Sequence, residues 1–375
     1  MAAASFMIVI LIVAAVMAVV AIGVAVALFV IGTGEEKEEE EDRKRAEIKD
    51  DFVLPSSLKA VSPPKTTTLE STFNGKKIVV QAHARLAGGI WSFAVGGKPY
   101  VPELYGNGGS LQYACFANVD NPDGKTKAHS ESYNPTQGGN SRDKNGATTS
   151  RWFDLSVDPR AMMAYSKTQM AFYTRHDDPH KNARDGGTVP VFNTRAVSDF
   201  VLEQFLHLGY RDMPNVLLAR YVLNVPETLT DHKHATEVTH LIAEMPTGYM
   251  HADFSRHLRW NLSTKTFETL PGDTGDNVDS RPELGGAVAT PDGKHCMGVW
   301  CVKSLPRRVN VPRFSVSGAG DGPNPMYQSI RLNKWALTTS LGGHRRHFHG
   351  PITTEVLLVV GSLAEVTETF KKLGL

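Results

Sequence analysis

The hydrophobic positions of this chain fall into two unlike patterns. From Phe6 to Ile31 they form one unbroken run with no charge and no proline. At 1.5 Å per residue, about 26 helical residues reach roughly 39 Å, more than the ~30 Å hydrocarbon core of a bilayer. The run therefore predicts a membrane-spanning helix that crosses with tilt. A cleaved leader would carry a shorter apolar stretch behind a basic start, and no basic residue precedes this one. From Ser71 onward the apolar residues instead come in short stretches interleaved with polar ones, as half-buried strands require.

Turn signals divide that second region. Asn74–Gly75 between β-prone flanks is the strongest short hairpin signal in the chain. Ile90 to Val95 reads as a strand, Gly96–Gly97 as a turn and Pro99 to Val101 as the return. Phe200 to Tyr210 and Val216 to Asn224 predict a long antiparallel pair. Shorter strands are expected at Thr239 to Glu244, Cys296 to Val302 and Val356 to Val360, with Pro246 ending the ladder after Glu244. Ser362 as N-cap and Glu365 at the capping-box position open a helix toward Leu373. So many strands with so little helical period predict an all-β chain: a large antiparallel β-sandwich, preceded by one N-terminal transmembrane helix and ending in a short helix. The expected divisions are an anchor over 1–34, a charged stalk and Pro-containing linker over 35–70, and a single β-sandwich domain over 71–375.

Composition narrows the partners. A formal charge of +1 over 375 residues leaves no basic stripe for nucleic acid. Lys37, Arg43, Lys44 and Arg45 follow the apolar run among seven carboxylates, so the positive-inside rule alone leaves the side of the soluble body open. Three cysteines, Cys115, Cys296 and Cys301, allow at most one internal bridge. GxSxG, Walker A and HExxH are absent, which removes the serine-hydrolase, phosphate-loop and zincin readings. His232 and His234, or His347 and His349, have strand spacing for a metal but no supporting carboxylate, so neither metal nor cofactor is expected.

The remaining chemistry gathers in two stretches. One runs from Glu103 through Gln112 to Tyr133, Asn134 and Gln137, where glycines and amide side chains either make paired hydrogen bonds to ligand hydroxyls or build turns. The other is His240 to Tyr249. Here Glu244 ends an apolar strand at a sheet rim, as a catalytic or a structural carboxylate, and His240 and Tyr249 are candidate bases. Trp91 and Tyr133 are candidate stacking surfaces for a sugar ring, alongside the commoner role of such rings in a core.

In order, Gly-Gly-Ser-Leu-Gln from Gly108, Asn-Pro-Thr-Gln-Gly-Gly from Asn134, Glu-Met-Pro-x-x-Tyr from Glu244 and the closing Leu-Leu-Val-Val-Gly-Ser-Leu resemble a group of secreted bacterial β proteins of carbohydrate-related setting. In that group the counterparts look like GRxIQ, WNPVQGGD and ELPAVY. Here Ser110 stands for the Arg, Tyr133 for the Trp and Asn140 for the Asp. The general shape is similar to the large sandwich of sugar mutarotases and polysaccharide lyases, by fold analogy. The resemblance implies a carbohydrate ligand and a body outside the cytoplasm, and the apolar run predicts that the N-terminal helix ties this body to membrane lipid. As an enzyme, a glycoside hydrolase or lyase, the protein would use Glu244 as acid or base with Glu103 as second carboxylate, while Asn134, Gln137, Gln112 and Tyr249 orient hydroxyls. The alternatives are a non-catalytic glycan- or protein-binding module and a structural membrane protein.

Overall fold

The computed structural model describes residues 59–60, 66–103, 111–118, 132–143, 148–177, 191–233, 238, 240–269, 285–303, 313–321, 331–341 and 349–375. The apolar run at 6–31 and the stalk lie outside these residues. Among those described, no helix is long and apolar enough to cross a membrane.

The strands, in chain order, are β1 (Lys59–Ala60), β2 (Thr66–Phe73), β3 (Lys76–His83), β4 (Ile90–Val95), β5 (Lys98–Pro99), β6 (Gln112–Asn118), β7 (Pro135–Thr136), β8 (Arg151–Asp158), β9 (Met163–Phe172), β10 (Val197–Leu208), β11 (Val216–Val225), β12 (His240–His251), β13 (Arg256–Asn261), β14 (Thr266–Thr269), β15 (Gly285–Ala289), β16 (Cys296–Lys303), β17 (Arg313–Asp321), β18 (Arg331–Leu341) and β19 (Gly350–Gly361). The helix α1 spans Leu363–Lys372. β1 and the start of β2 fall inside the stretch that reads as linker, so ordered structure begins before residue 71.

Local signals formed the elements they specify. Asn74 and Gly75 both take positive φ, 49° and 74°, the pair a two-residue hairpin turn needs, and Phe73 faces Lys76 across it. β10 and β11 pair in unbroken register from Val201 with Asn224 to Leu208 with Leu217. At α1, the Ser362 hydroxyl accepts from the Glu365 N–H and the Glu365 carboxylate accepts from the Ser362 N–H at 2.7 Å. The other oxygen of that carboxylate accepts from the Asn74 amide at 2.7 Å, so the helix start also holds the hairpin tip.

Among the described strands all pairing is antiparallel. A fifteen-stranded sheet runs β14-β13-β15-β16-β19-β11-β10-β9-β7-β6-β12-β18-β17, with β8 and β1 branching from β9, beside a four-stranded sheet β2-β3-β4-β5. The long sheet folds back on itself between β11 and β6. Tyr113 of β6 therefore meets Tyr221 of β11, ring centroids 5.2 Å apart. Leu241, Ala243, Met245 and Met250 of β12 join Leu217, Ala219 and Leu223 of β11 in one core, to which the small sheet adds Leu69, Ile78, Val80 and Phe93. This is the two-layered β-sandwich expected of the alternating pattern, with the three cysteines buried and unbridged.

The helix closes the outer face of β16 and β19. Phe370 inserts among Trp260, Phe267 and Trp300, with centroids 5.0, 5.1 and 6.3 Å away. Gly298 makes that approach feasible, because a Cβ there would lie 2.7 Å from the Phe370 ring and 2.9 Å from Val366. Substituting Gly298→Ala should force the helix outward at a cost of about 1–3 kcal/mol, the usual range for overpacking. Urea unfolding measures it, and an unchanged midpoint would mean the helix does not seat as described.

Candidate functional site

Glu244 does not sit at the end of a strand. β12 continues to His251, because Met245 and Pro246 form a bulge: Glu244 faces Ala114 and Thr338, while Thr247 faces Gln112 and Ala336. Two residues thus oppose one, and the missing proline N–H falls where the ladder is already interrupted. The expectation that Pro246 stops the strand is corrected on that ground.

The bulge also sets the faces. Leu241, Ala243, Met245 and Met250 turn into the core, which leaves Glu244, Thr247, Tyr249 and His251 on the opposite face of the same strand. Gln112 and Ala114 share that face on β6. Counting back from the Ala114–Thr136 pair, Asn134 does too, opposite Phe116. Glu244 and Tyr249 are four strand steps apart, about 13 Å between Cα atoms, and Asn134 lies roughly 12 Å from Glu244 across β6. Glu244, Thr247 and Gln112 are closely covered, at 8%, 3% and 3% exposure. The Glu244 carboxylate also reaches Cys115 electrostatically: burial first, and then this charge, raise the thiol pKa.

The other expected residues take different places. Gln137 points into the interior, where its Oε1 accepts from the Tyr113 N–H at 3.1 Å and its Nε2 donates to Ala87 O and to Gln204 Oε1. Gln112 accepts from the Gly138 N–H at 2.6 Å. These two amides hold the loop from Asn134 to Asn140, and every residue of that loop is buried. Tyr133 is a core residue tilted against Phe172, ring centroids 4.7 Å apart, and its hydroxyl donates to Asp231 Oδ1 at 2.6 Å. Burial pushes the Asp231 carboxyl pKa up, while the Tyr133 hydroxyl and the Asp199 N–H pull it back. In the same pair, burial and then the Asp231 charge raise the Tyr133 pKa. Asn134 keeps its Oδ1 enclosed with no donor among the described residues.

Glu103 joins the opposite end of the row. It is exposed, takes φ 57°, and accepts from the Ser92 hydroxyl at 2.6 Å. It also lies within electrostatic reach of His251, whose pKa is lowered chiefly by burial, with Asp253 and Glu103 acting the other way. Six strand steps, about 20 Å, separate Glu244 from His251. Trp91 is half-buried, with the His83 ring 5.5 Å away. His240 opens β12 in register with Asn118.

Thr247 and His251 escaped the sequence reading. Both follow from alternation along β12 once Met245–Pro246 counts as one step rather than as a stop. Among the described residues no group of His, Cys, Asp and Glu is arranged to hold a metal ion.

No protein-family model and no curated protein matches the chain. Several solved structures align with parts of it. The Slr1438 protein of Synechocystis is 10% identical, covering 81% of this chain and 99% of its own at a TM-score of 0.38. A galactose mutarotase-like protein of Lactobacillus casei is 11% identical, covering 78% of this chain and all of its own, 100%, at 0.37. An alpha-galactosidase of Lactobacillus brevis is 8% identical over 84% of this chain and 42% of its own, also at 0.37. TM-scores below 0.5 assign neither family nor activity.

Proposed function

We propose that the β body binds a carbohydrate across the β12 face and that Glu244 exchanges a proton with it. The supporting observation is the row Glu244, Thr247, Tyr249 and His251 on one face of β12, with Asn134 beside it on the same face of the sheet. A covered carboxylate at a bulge, with an amide side chain and a tyrosine about 12–13 Å from it on the same face, suits hydroxyl recognition and acid–base work. The motif resemblance to carbohydrate-setting proteins supports the same ligand class.

The spacing bears on the reaction. Glycosidic hydrolysis uses two carboxyl groups within about 9.5 Å. Glu103 belongs to the His251 end of β12, about 20 Å along the strand from Glu244, so this pair does not supply the two carboxyl groups. Among the reactions open to a single carboxylate are proton transfers on a sugar, as in epimerisation or elimination.

We further propose that residues 6–31 anchor this body to a membrane and that the body lies outside the cytoplasm, as the apolar run and the resemblance to secreted proteins suggest. Protease added to intact cells should then cut the 51–375 body; cleavage only after lysis would put it on the other side.

For the site, Glu244→Gln preserves shape and removes the proton-accepting charge. Sugar turnover, followed by optical rotation or by absorbance of an unsaturated product, should fall by about 100-fold or more, the scale of lost acid–base catalysis, while sugar binding persists. Full turnover by this variant would remove Glu244 from the chemistry. If the wild type binds a sugar without converting any, the face is a binding surface alone.

A further inference from the structure

We propose a second ligand site, for the carboxylate of a small sugar acid, in a hollow between β8, β9 and the start of β10, separate from the β12 row. The hollow has a volume of about 260 Å³ and is lined by Arg151 of β8, Gln169 of β9, and Arg195, Ala196 and Val197 at the start of β10. That volume lies under the ~300 Å³ at which pockets for drug-sized ligands begin, so one sugar-sized molecule is the natural occupant.

The polar groups differ in how they are held. Arg195 is fixed: its Nε donates to Val197 O, and one Nη bonds Asp199 and Thr230. A guanidinium already locked in place loses little freedom on meeting a ligand. Gln169 is fixed too, by donation from its Nε2 to Ser198 O at 2.8 Å, so its Oε1 remains an acceptor suited to a hydroxyl. Arg151 is exposed, faces Gln169 in register, and has neither hydrogen bond nor ion pair among the described residues.

Charge decides the ligand. Asp199 offsets Arg195, and Asp231, 4.0 Å from Arg195, is fully buried and committed to Tyr133 and the Asp199 N–H. Among the described residues, the Arg151 guanidinium is the cation of the hollow that has no paired carboxylate. Its planar fork matches a carboxylate in bidentate fashion. A carboxylate alone would leave the Gln169 oxygen and the apolar Ala196 and Val197 wall unused. A hydroxylated ring bearing a carboxylate uses all three, which selects a uronic acid over a simple anion or a neutral sugar.

The test titrates the full chain in detergent with glucuronate, with glucose and acetate as the two halves of its chemistry, and reads binding by ligand-observed NMR. Glucuronate should saturate the protein and bind about 5-fold or more tightly than either half. Arg151→Gln, which breaks no hydrogen bond or ion pair among the described residues, and Gln169→Leu should each weaken it several-fold. Acetate binding as tightly as glucuronate, no saturation, or an Arg151→Gln variant with unchanged affinity would overturn the proposal. Glu244→Gln should leave glucuronate binding at this hollow intact, so the two sites stand or fall separately.

Discussion

The molecule depends on a set of amide hydrogen bonds buried where the long sheet folds over. β7 is two residues long, yet the path from one layer to the other passes through it: Thr136 faces Ala114 on one side and Ala171 on the other. Two pairings are too few to hold two layers in register. The adjoining side chains supply the rest. Gln137 bonds β6 through the Tyr113 N–H, the 84–88 turn through Ala87 O, and β10 through Gln204. Gln204 then donates to Gly88 O at 2.7 Å, and Thr168 of β9 donates to Ala87 O at 2.7 Å. None of these side chains reaches water, so losing one strands its partners at the cost of desolvation, about 1–3 kcal/mol. Gly88 completes the contact: it has φ 84°, and a Cβ there would fall 2.2 Å from the Ser166 hydroxyl.

The lattice also accounts for the placement of the candidate site. By fixing the 132–140 loop against β6, it lays Asn134 along one edge of β6 while β12 occupies the other. The bulge at Met245–Pro246 then keeps Glu244 and Tyr249 on a single face on either side of an interrupted register. The core side of that strand is apolar and continuous with β11, so the polar row and the packed core are two sides of one sheet.

The sequence was most legible where a short motif determines local geometry. Asn74–Gly75 dictates a turn with two positive φ values, and Ser362 with Glu365 dictates a helix start; both hold regardless of the distant chain. The β10–β11 pair was equally legible, because both strands are long and joined by a short turn. Legibility failed where meaning is set by distant partners. Gln137 and Gln112 look identical as ligand-binding amides and as loop-holding amides until Tyr113 of β6 and Gln204 of β10 are seen to partner Gln137, and the Gly138 N–H to partner Gln112. Tyr133 looked like a stacking surface until Phe172 and Asp231 closed around it. Pro246 looked like a stop, since the bulge that accommodates it is created by β6 and β18, far away in the chain. The anchor, conversely, rests on the apolar run alone.

A double-mutant cycle on Gln137 and Gln204 tests the seam most directly. Gln137→Met and Gln204→Met retain volume and delete the shared hydrogen bond, and urea unfolding of the two single variants and the double gives their coupling. The account predicts that each single change costs about 1–3 kcal/mol and that the double costs less than their sum by at least ~1 kcal/mol, as for partners in one buried network. Additivity within about 0.5 kcal/mol would contradict it, and would mean that the two layers are joined by something other than this lattice.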